Sequence, residues 1–119
     1  MAARSVLRDR ESIGAQIAAL RGDAAEFERG ALAALCWLLE GGPGPVTDEL
    51  CGRPGTPRAI VRELAAAEAA IYGVRAERTD FARGVEHALM WAQFVTCCGP
   101  ADASPAGGQR RAGPGPPGR

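Results

Sequence analysis

Lysine and asparagine are absent from the 119-residue chain, and histidine occurs once. Without lysine there is no phosphate-loop lysine, and the glycine-rich stretches are interrupted by proline and lack Gly-x-Gly-x-x-Gly spacing, so a nucleotide site has no support. A Ser-His-Asp arrangement could be built only around His87, whereas Ser5, Ser12 and Ser104 fall near the chain ends. Cys-x-x-Cys spacing is missing too. Cys36 and Cys51 stand apart, and Cys97 and Cys98 are adjacent, a poor disposition in sequence for holding one ion. The expectation is a non-catalytic chain with no metal ligand set and no cofactor.

Long apolar runs are also lacking. The longest, "ALAALCWLL" at 31–39, is about half of what a bilayer requires, so no membrane span is expected. The opening "MAARSVLRDR" has arginines but no apolar stretch behind them, unlike a secretory leader. A cytoplasmic location follows as the default, with reduced cysteines and no disulfide framework.

What is present suits one soluble domain: 46% of residues are hydrophobic and 24% charged. All fourteen basic residues are arginine, and alanine, glycine and proline abound. That bias is the imprint of a high-GC coding sequence, which points to a bacterium, its phage or a mobile element. Net charge is zero, but the last twenty-one residues hold Arg110, Arg111 and Arg119 against Asp102 alone, leaving the body acidic and the tail basic.

Proline and glycine punctuate the chain. "GGPGP" at 41–45 and "GRPGTP" at 52–57 bracket "VTDELC", in which Thr47 could cap a turn or two of helix; residues 41–56 read as a central linker. From Gly99 the chain contains five prolines, six glycines and no Val, Ile, Leu, Met or aromatic residue, so 99–119 is expected to be a disordered tail. Residues 1–98 then form one helical domain.

Within that domain apolar residues recur with helical period. Val6, Ile13, Ile17, Leu20, Phe27, Ala31, Ala34 and Leu38 form one series, and Ile60, Leu64, Ile71, Val74, Phe81, Val85, Ala88 and Val95 form another. Nothing alternates with period two. The spacing runs through residues 13–38 and so admits two long helices in an antiparallel coiled-coil hairpin. Cap chemistry favours four shorter ones: Gly22 ends a helix, Asp23 to Glu26 resembles a capping box, Gly73 ends another helix, and Thr79 can cap the next. The preferred reading is all-α, a four-helix bundle of two related αα-hairpins, with helices near 5–21, 24–40, 57–72 and 79–97.

The relation between halves is written in "EFERGALAALCW" at 26–37 and "DFARGVEHALMW" at 80–91, an internal repeat over about 5–40 and 57–97. Phe27, Gly30 and Trp37 stand fifty-four residues before Phe81, Gly84 and Trp91. A glycine inside a helix costs about 1 kcal/mol relative to alanine, so its repetition points to close approach of another backbone. Glu26 with Arg29 and Asp80 with Arg83 have i,i+3 spacing, suited to solvated ion pairs. His87 reads as an exposed helical residue.

The copies differ on one stripe. Leu32, Cys36 and Leu39 leave the first copy apolar nearly all round, where the second has Glu86, Met90 and Gln93. Either Val46 and Leu50 of the linker fold back over this stripe, or it is a surface for a protein partner or a second copy of the chain. The function expected is a small helical protein–protein interaction module, such as an adaptor, assembly or regulatory factor. Its alternative is a nucleic-acid-binding accessory protein using the tail, but three tail arginines beside an acidic body are a weak footprint for that partner.

Overall fold

The computed structural model describes residues 7–21, 25–50, 55–73 and 78–103. These residues form four helices, α1 (Arg10–Leu20), α2 (Glu26–Glu40), α3 (Pro57–Tyr72) and α4 (Thr79–Ala92), then a single turn, α5 (Pro100–Ala103). No strand forms among the described residues; Pro43 and Leu50 make an isolated antiparallel bridge. Two continuous long helices are not seen, because α1 stops at Leu20 before α2 begins at Glu26, and α3 stops at Tyr72 before α4 begins at Thr79.

Local chemistry explains most boundaries. Asp9 starts α1 by accepting the Ser12 N–H at 2.8 Å, so this helix begins later than the apolar pattern suggested. Asp23 lies outside the described residues; Ala25 is the N-cap of α2 and makes no side-chain cap bond. Thr56 caps α3 through the Ala59 N–H at 3.2 Å, with Pro57 in the first turn, where its missing N–H is harmless. Arg78, in the left-handed conformation (φ 51°), precedes α4, and Thr79 is already helical.

The end of α4 departs furthest from the expected boundary at 97. Phe94 adopts a left-handed φ of 66°, and the N–H groups of Phe94 and Val95 return to the carbonyls of Trp91 and Met90 at 3.0 and 2.8 Å. This is the bond pattern of a Schellman cap with an aromatic residue in the place that glycine usually takes. Arg8 stabilises it from outside. Its backbone N–H donates to the Ala92 carbonyl (2.8 Å), its Nε to the Trp91 carbonyl (2.7 Å), and Nη2 to the Thr96 carbonyl (3.2 Å). The guanidinium also lies over the rings of Trp91 and Phe94, at 4.7 and 4.3 Å from their centroids. A cation at a helix C-terminus satisfies carbonyls and complements the dipole together.

Helix α1 packs on α2, α3 on α4, and the most extensive contact joins α2 to α4. The buried residues of α2 are Glu28, Gly30, Ala31, Ala34, Leu35, Trp37 and Leu38; those of α4 are Ala82, Gly84, Val85, Ala88, Leu89, Trp91 and Ala92, each fifty-four positions on. At the crossing, a Cβ on Gly30 would collide with the Phe81 carbonyl, and a Cβ on Gly84 with the Phe27 carbonyl. Each glycine therefore receives the other helix's main chain. Ile13, Ile17 and Leu20 of α1 and Ala59, Ile60, Ala67 and Ile71 of α3 complete the core.

Residues 99–103, assigned to the tail from composition, are folded. Pro100 is fully buried, and the Ala101 N–H donates to Gln16 Oε1 of α1 at 2.9 Å. Proline and alanine bury area without counting as strong hydrophobes, which is why composition placed the boundary too early. Residues 104–119 of the expected tail lie outside the described residues.

Gly30→Ala and Gly84→Ala should each lower unfolding free energy by about 1–3 kcal/mol despite the better helix propensity of alanine, because the added methyl group meets backbone. Gly14, with open space around its Cβ position, is the internal control: Gly14→Ala should gain roughly 0.5–1 kcal/mol. Urea melts of the three variants check both signs. A second expectation concerns pH. Hydrogen bonds from the Ser12 side chain and backbone hold the Asp9 carboxyl below its usual range, so its stabilising effect is complete above the unfolded pKa and is lost as pH falls through the lower folded one. Thermal melts of Asp9→Ala should accordingly lie below wild type at pH 7 and converge with it below pH 3.8.

Candidate functional site

A pocket of about 370 Å³ opens between the C-terminal half of α3, the start of α4 and the central linker. Its walls are Pro45, Val46, Ala69, Ala70, Phe81 and Ala82, with Arg78 as the one charged residue. The size is at the lower end of small-molecule and side-chain pockets, and apolar walls with one polar group are their usual chemistry. The Arg78 guanidinium lies 4.0 Å over the Phe81 ring and bonds Glu26 Oε1 at 3.1 Å. Glu26 also approaches Arg29 at 3.8 Å, and no Asp80–Arg83 ion pair forms among the described residues. These groups are about half exposed, so Arg78 can exchange Glu26 for another anion at a cost of about 0–1 kcal/mol.

Glu63 of α3 builds the linker wall. Its carboxylate is 1% exposed, yet Oε1 accepts the N–H groups of Val46 and Thr47 at 2.9 and 3.2 Å and Oε2 accepts the Thr47 hydroxyl. Three donors on a buried carboxylate make it a rigid peg for the linker turn. Gly44 is required beside it, since a Cβ there would strike the Glu63 carboxylate. Thr47 therefore holds a turn at 45–47 and caps no helix. The Arg62–Glu49 pair at 2.7 Å adds a bond on the exposed side of the same loop.

Glu28 is the opposite case. It is also 1% exposed, but neither carboxylate oxygen has a hydrogen-bond partner, and the buried Trp37 Nε1 is likewise unpartnered. No sequence signal marked either carboxylate as buried, because both sit among residues with ordinary helical charge spacing.

The sequence-derived candidates fall in three places. Phe27, Gly30, Trp37, Phe81, Gly84 and Trp91 belong to α2 and α4, where the glycines and tryptophans are buried and the phenylalanines half-buried. Leu32, Cys36 and Leu39 are half-buried and pack against the core cluster. Burial pushes the Cys36 thiol up, Glu40 adds to the effect and Arg21 opposes it, so the thiol stays protonated at neutral pH. The linker does not fold back over this stripe as a whole: Leu50 is 78% exposed, and Val46 faces the pocket. Cys51 lies outside the described residues.

His87 is half-buried rather than exposed. Its ring stands 6.1 Å from that of Phe27, and Nε2 donates to the Cys98 carbonyl at 2.9 Å, which assigns the proton to Nε2. No group of three or more metal-ligating side chains is assembled among the described residues, and no helix among them is long and apolar enough to cross a membrane. Comparison with known proteins finds no matching family model, no similar curated protein and no similar solved structure.

Replacing Glu28 by Met, which removes an unpartnered carboxylate while preserving length, should raise stability by about 1–3 kcal/mol in denaturant melts at neutral pH. A loss of stability would show that the carboxylate has a partner in solution.

Proposed function

We propose that this protein is a small non-catalytic interaction module, two related helical hairpins joined back to back, which docks a protein partner at the pocket between α3, α4 and the linker. The observation that carries the reading is the pocket itself, where apolar walls and one exchangeable cation converge. Tyr72 is exposed and lies one helical turn along α3 from Ala69 of the pocket wall. Tyrosine and arginine around a small apolar cavity are the residue types that dominate binding at protein interfaces.

Comparison of the halves supports a specialised second copy. At the offset of fifty-four residues, Ala70 and Ala82 of the pocket correspond to Gln16 and Glu28, and Pro45 and Val46 correspond to Gly99 and Pro100. In the first copy the longer side chains accompany a docked C-terminal segment, with Gln16 holding Ala101. In the second the corresponding positions are cut back to alanine. The fitting ligand is a peptide segment that inserts one bulky apolar side chain and brings an Asp or Glu to Arg78. Burying that side chain contributes about 1.5–3 kcal/mol, so useful affinity also needs the Tyr72 rim and the charge pair.

Panning a random-peptide display library on the full chain tests this. Enriched sequences should pair an aromatic or branched residue with a nearby acid, and their affinity should fall about tenfold or more in Ala70→Leu, which fills the pocket, while the variant melts like wild type. Enriched peptides that bind Ala70→Leu and Arg78→Gln as well as wild type would overturn the site assignment.

A further inference from the structure

Among the described residues Leu50 is the most exposed large hydrophobic side chain, at 78%, and it directly follows two exposed acids, Asp48 and Glu49. A single apolar residue at a surface is ordinary, so exposure alone assigns nothing. What marks Leu50 is the loop that carries it. The Gly44 N–H donates to the Glu49 carbonyl at 2.8 Å, the Asp48 N–H donates to the Gly44 carbonyl at 3.0 Å, and Pro43 forms a bridge with Leu50. Inside the loop the Glu49 N–H donates to Thr47 Oγ1 at 3.1 Å, and Glu63 holds the N–H groups of Val46 and Thr47. Asp48, at a left-handed φ of 64°, makes the reversal tight.

These bonds decide where Leu50 can go. Val46 lines the pocket, and Leu50 leaves the same closed loop in solvent, so turning Leu50 into its own pocket would break the bridge to Pro43. A knob fixed in this way loses little conformational freedom when it docks elsewhere. Its chemistry is the complement of the pocket: a branched apolar side chain beside carboxylates, facing apolar walls with Arg78 as their one charged residue. Glu49 is already engaged by Arg62 at 2.7 Å, which leaves Asp48 as the acid for Arg78.

We propose, resting on the docking reading of the pocket, that the docked partner is a second copy of this chain, which inserts its Leu50 between the apolar walls and brings its Asp48 to Arg78. Knob and pocket adjoin on one surface, because Pro45 and Val46 line the pocket and Asp48 to Leu50 follow in the same loop. A two-fold axis beside the linker therefore seats both loops at once, each chain giving and receiving one leucine. Such an exchange closes on itself and yields a dimer, not a filament. Arg78 trades the half-exposed Glu26 for the acid of the second copy and keeps its place over the Phe81 ring. Every substitution in the knob or the pocket is felt twice per dimer.

Sedimentation equilibrium of the full chain tests it: the 12.3 kDa mass should double as concentration rises through the micromolar range. Leu50→Ser, which removes the knob, and Ala70→Leu, which fills the pocket, should each weaken the dimer about tenfold or more, with melts of the dilute proteins unchanged. Charge exchange gives the sharper arm. Arg78→Asp and Asp48→Arg chains should each stay monomeric alone and associate when mixed, since the mixed dimer holds one native and one inverted pair. Both positions have left-handed φ, 51° and 64°, and each substitution places there a residue type that the chain already carries in that conformation. A dimer that survives Leu50→Ser and Ala70→Leu overturns the interface, and charge variants that fail to associate on mixing overturn the pairing of Arg78 with Asp48. A chain that stays monomeric overturns the second copy as partner; if library peptides still bind it and fail on Ala70→Leu, the docking reading stands with a different partner.

Discussion

The close approach of α2 and α4 is the constraint on which the rest of the structure depends. Gly30 and Gly84 each admit the carbonyl of the other helix's phenylalanine, so the two backbones meet where side chains would ordinarily separate them. The gain is dispersion between closely packed main-chain and alanine atoms, small per contact and repeated along the crossing. Its consequence is that both helices are enclosed: each also turns apolar residues toward its outer neighbour, α1 or α3. An exposed α2 or α4 would leave an apolar helix in water.

Charged residues then fasten the segments that leave this centre. Glu63 receives the turn that follows α2, and Arg8 receives the end of α4. Both act through several bonds to backbone, and bonds with a charged partner are roughly twice as strong as neutral ones. The left-handed Phe94 is held by this network: its ring and that of Trp91 flank the Arg8 guanidinium, while its N–H closes the helix end. Glu28 shows what the same chemistry costs without partners, since a buried carboxylate with no donor forfeits its hydration.

The two halves differ most at their edges. The α3–α4 side retains space behind Ala70 and Ala82, and the end of α4 carries two sulfurs, Phe94 and Val95 at the surface. Neither feature disturbs the glycine crossing, because both lie at its periphery.

The helical class was legible because apolar residues recur every three or four positions, and helix endings were legible at Gly41 and Gly73, where glycine follows the last turn. Phe, Gly and Trp recur at one offset in α2 and α4, but that recurrence did not show that each glycine faces the other helix's carbonyl. The pocket was illegible, since its lining comes from residues 45–82 and each alanine alone reads as helix filler. Arg8 and Glu63 looked like solvated charges because their partners include backbone groups 16 to 88 residues away. Periodicity and punctuation are local properties and survive in one dimension. Enclosed space and buried charge depend on distances between groups remote in sequence, and only tertiary packing decides them.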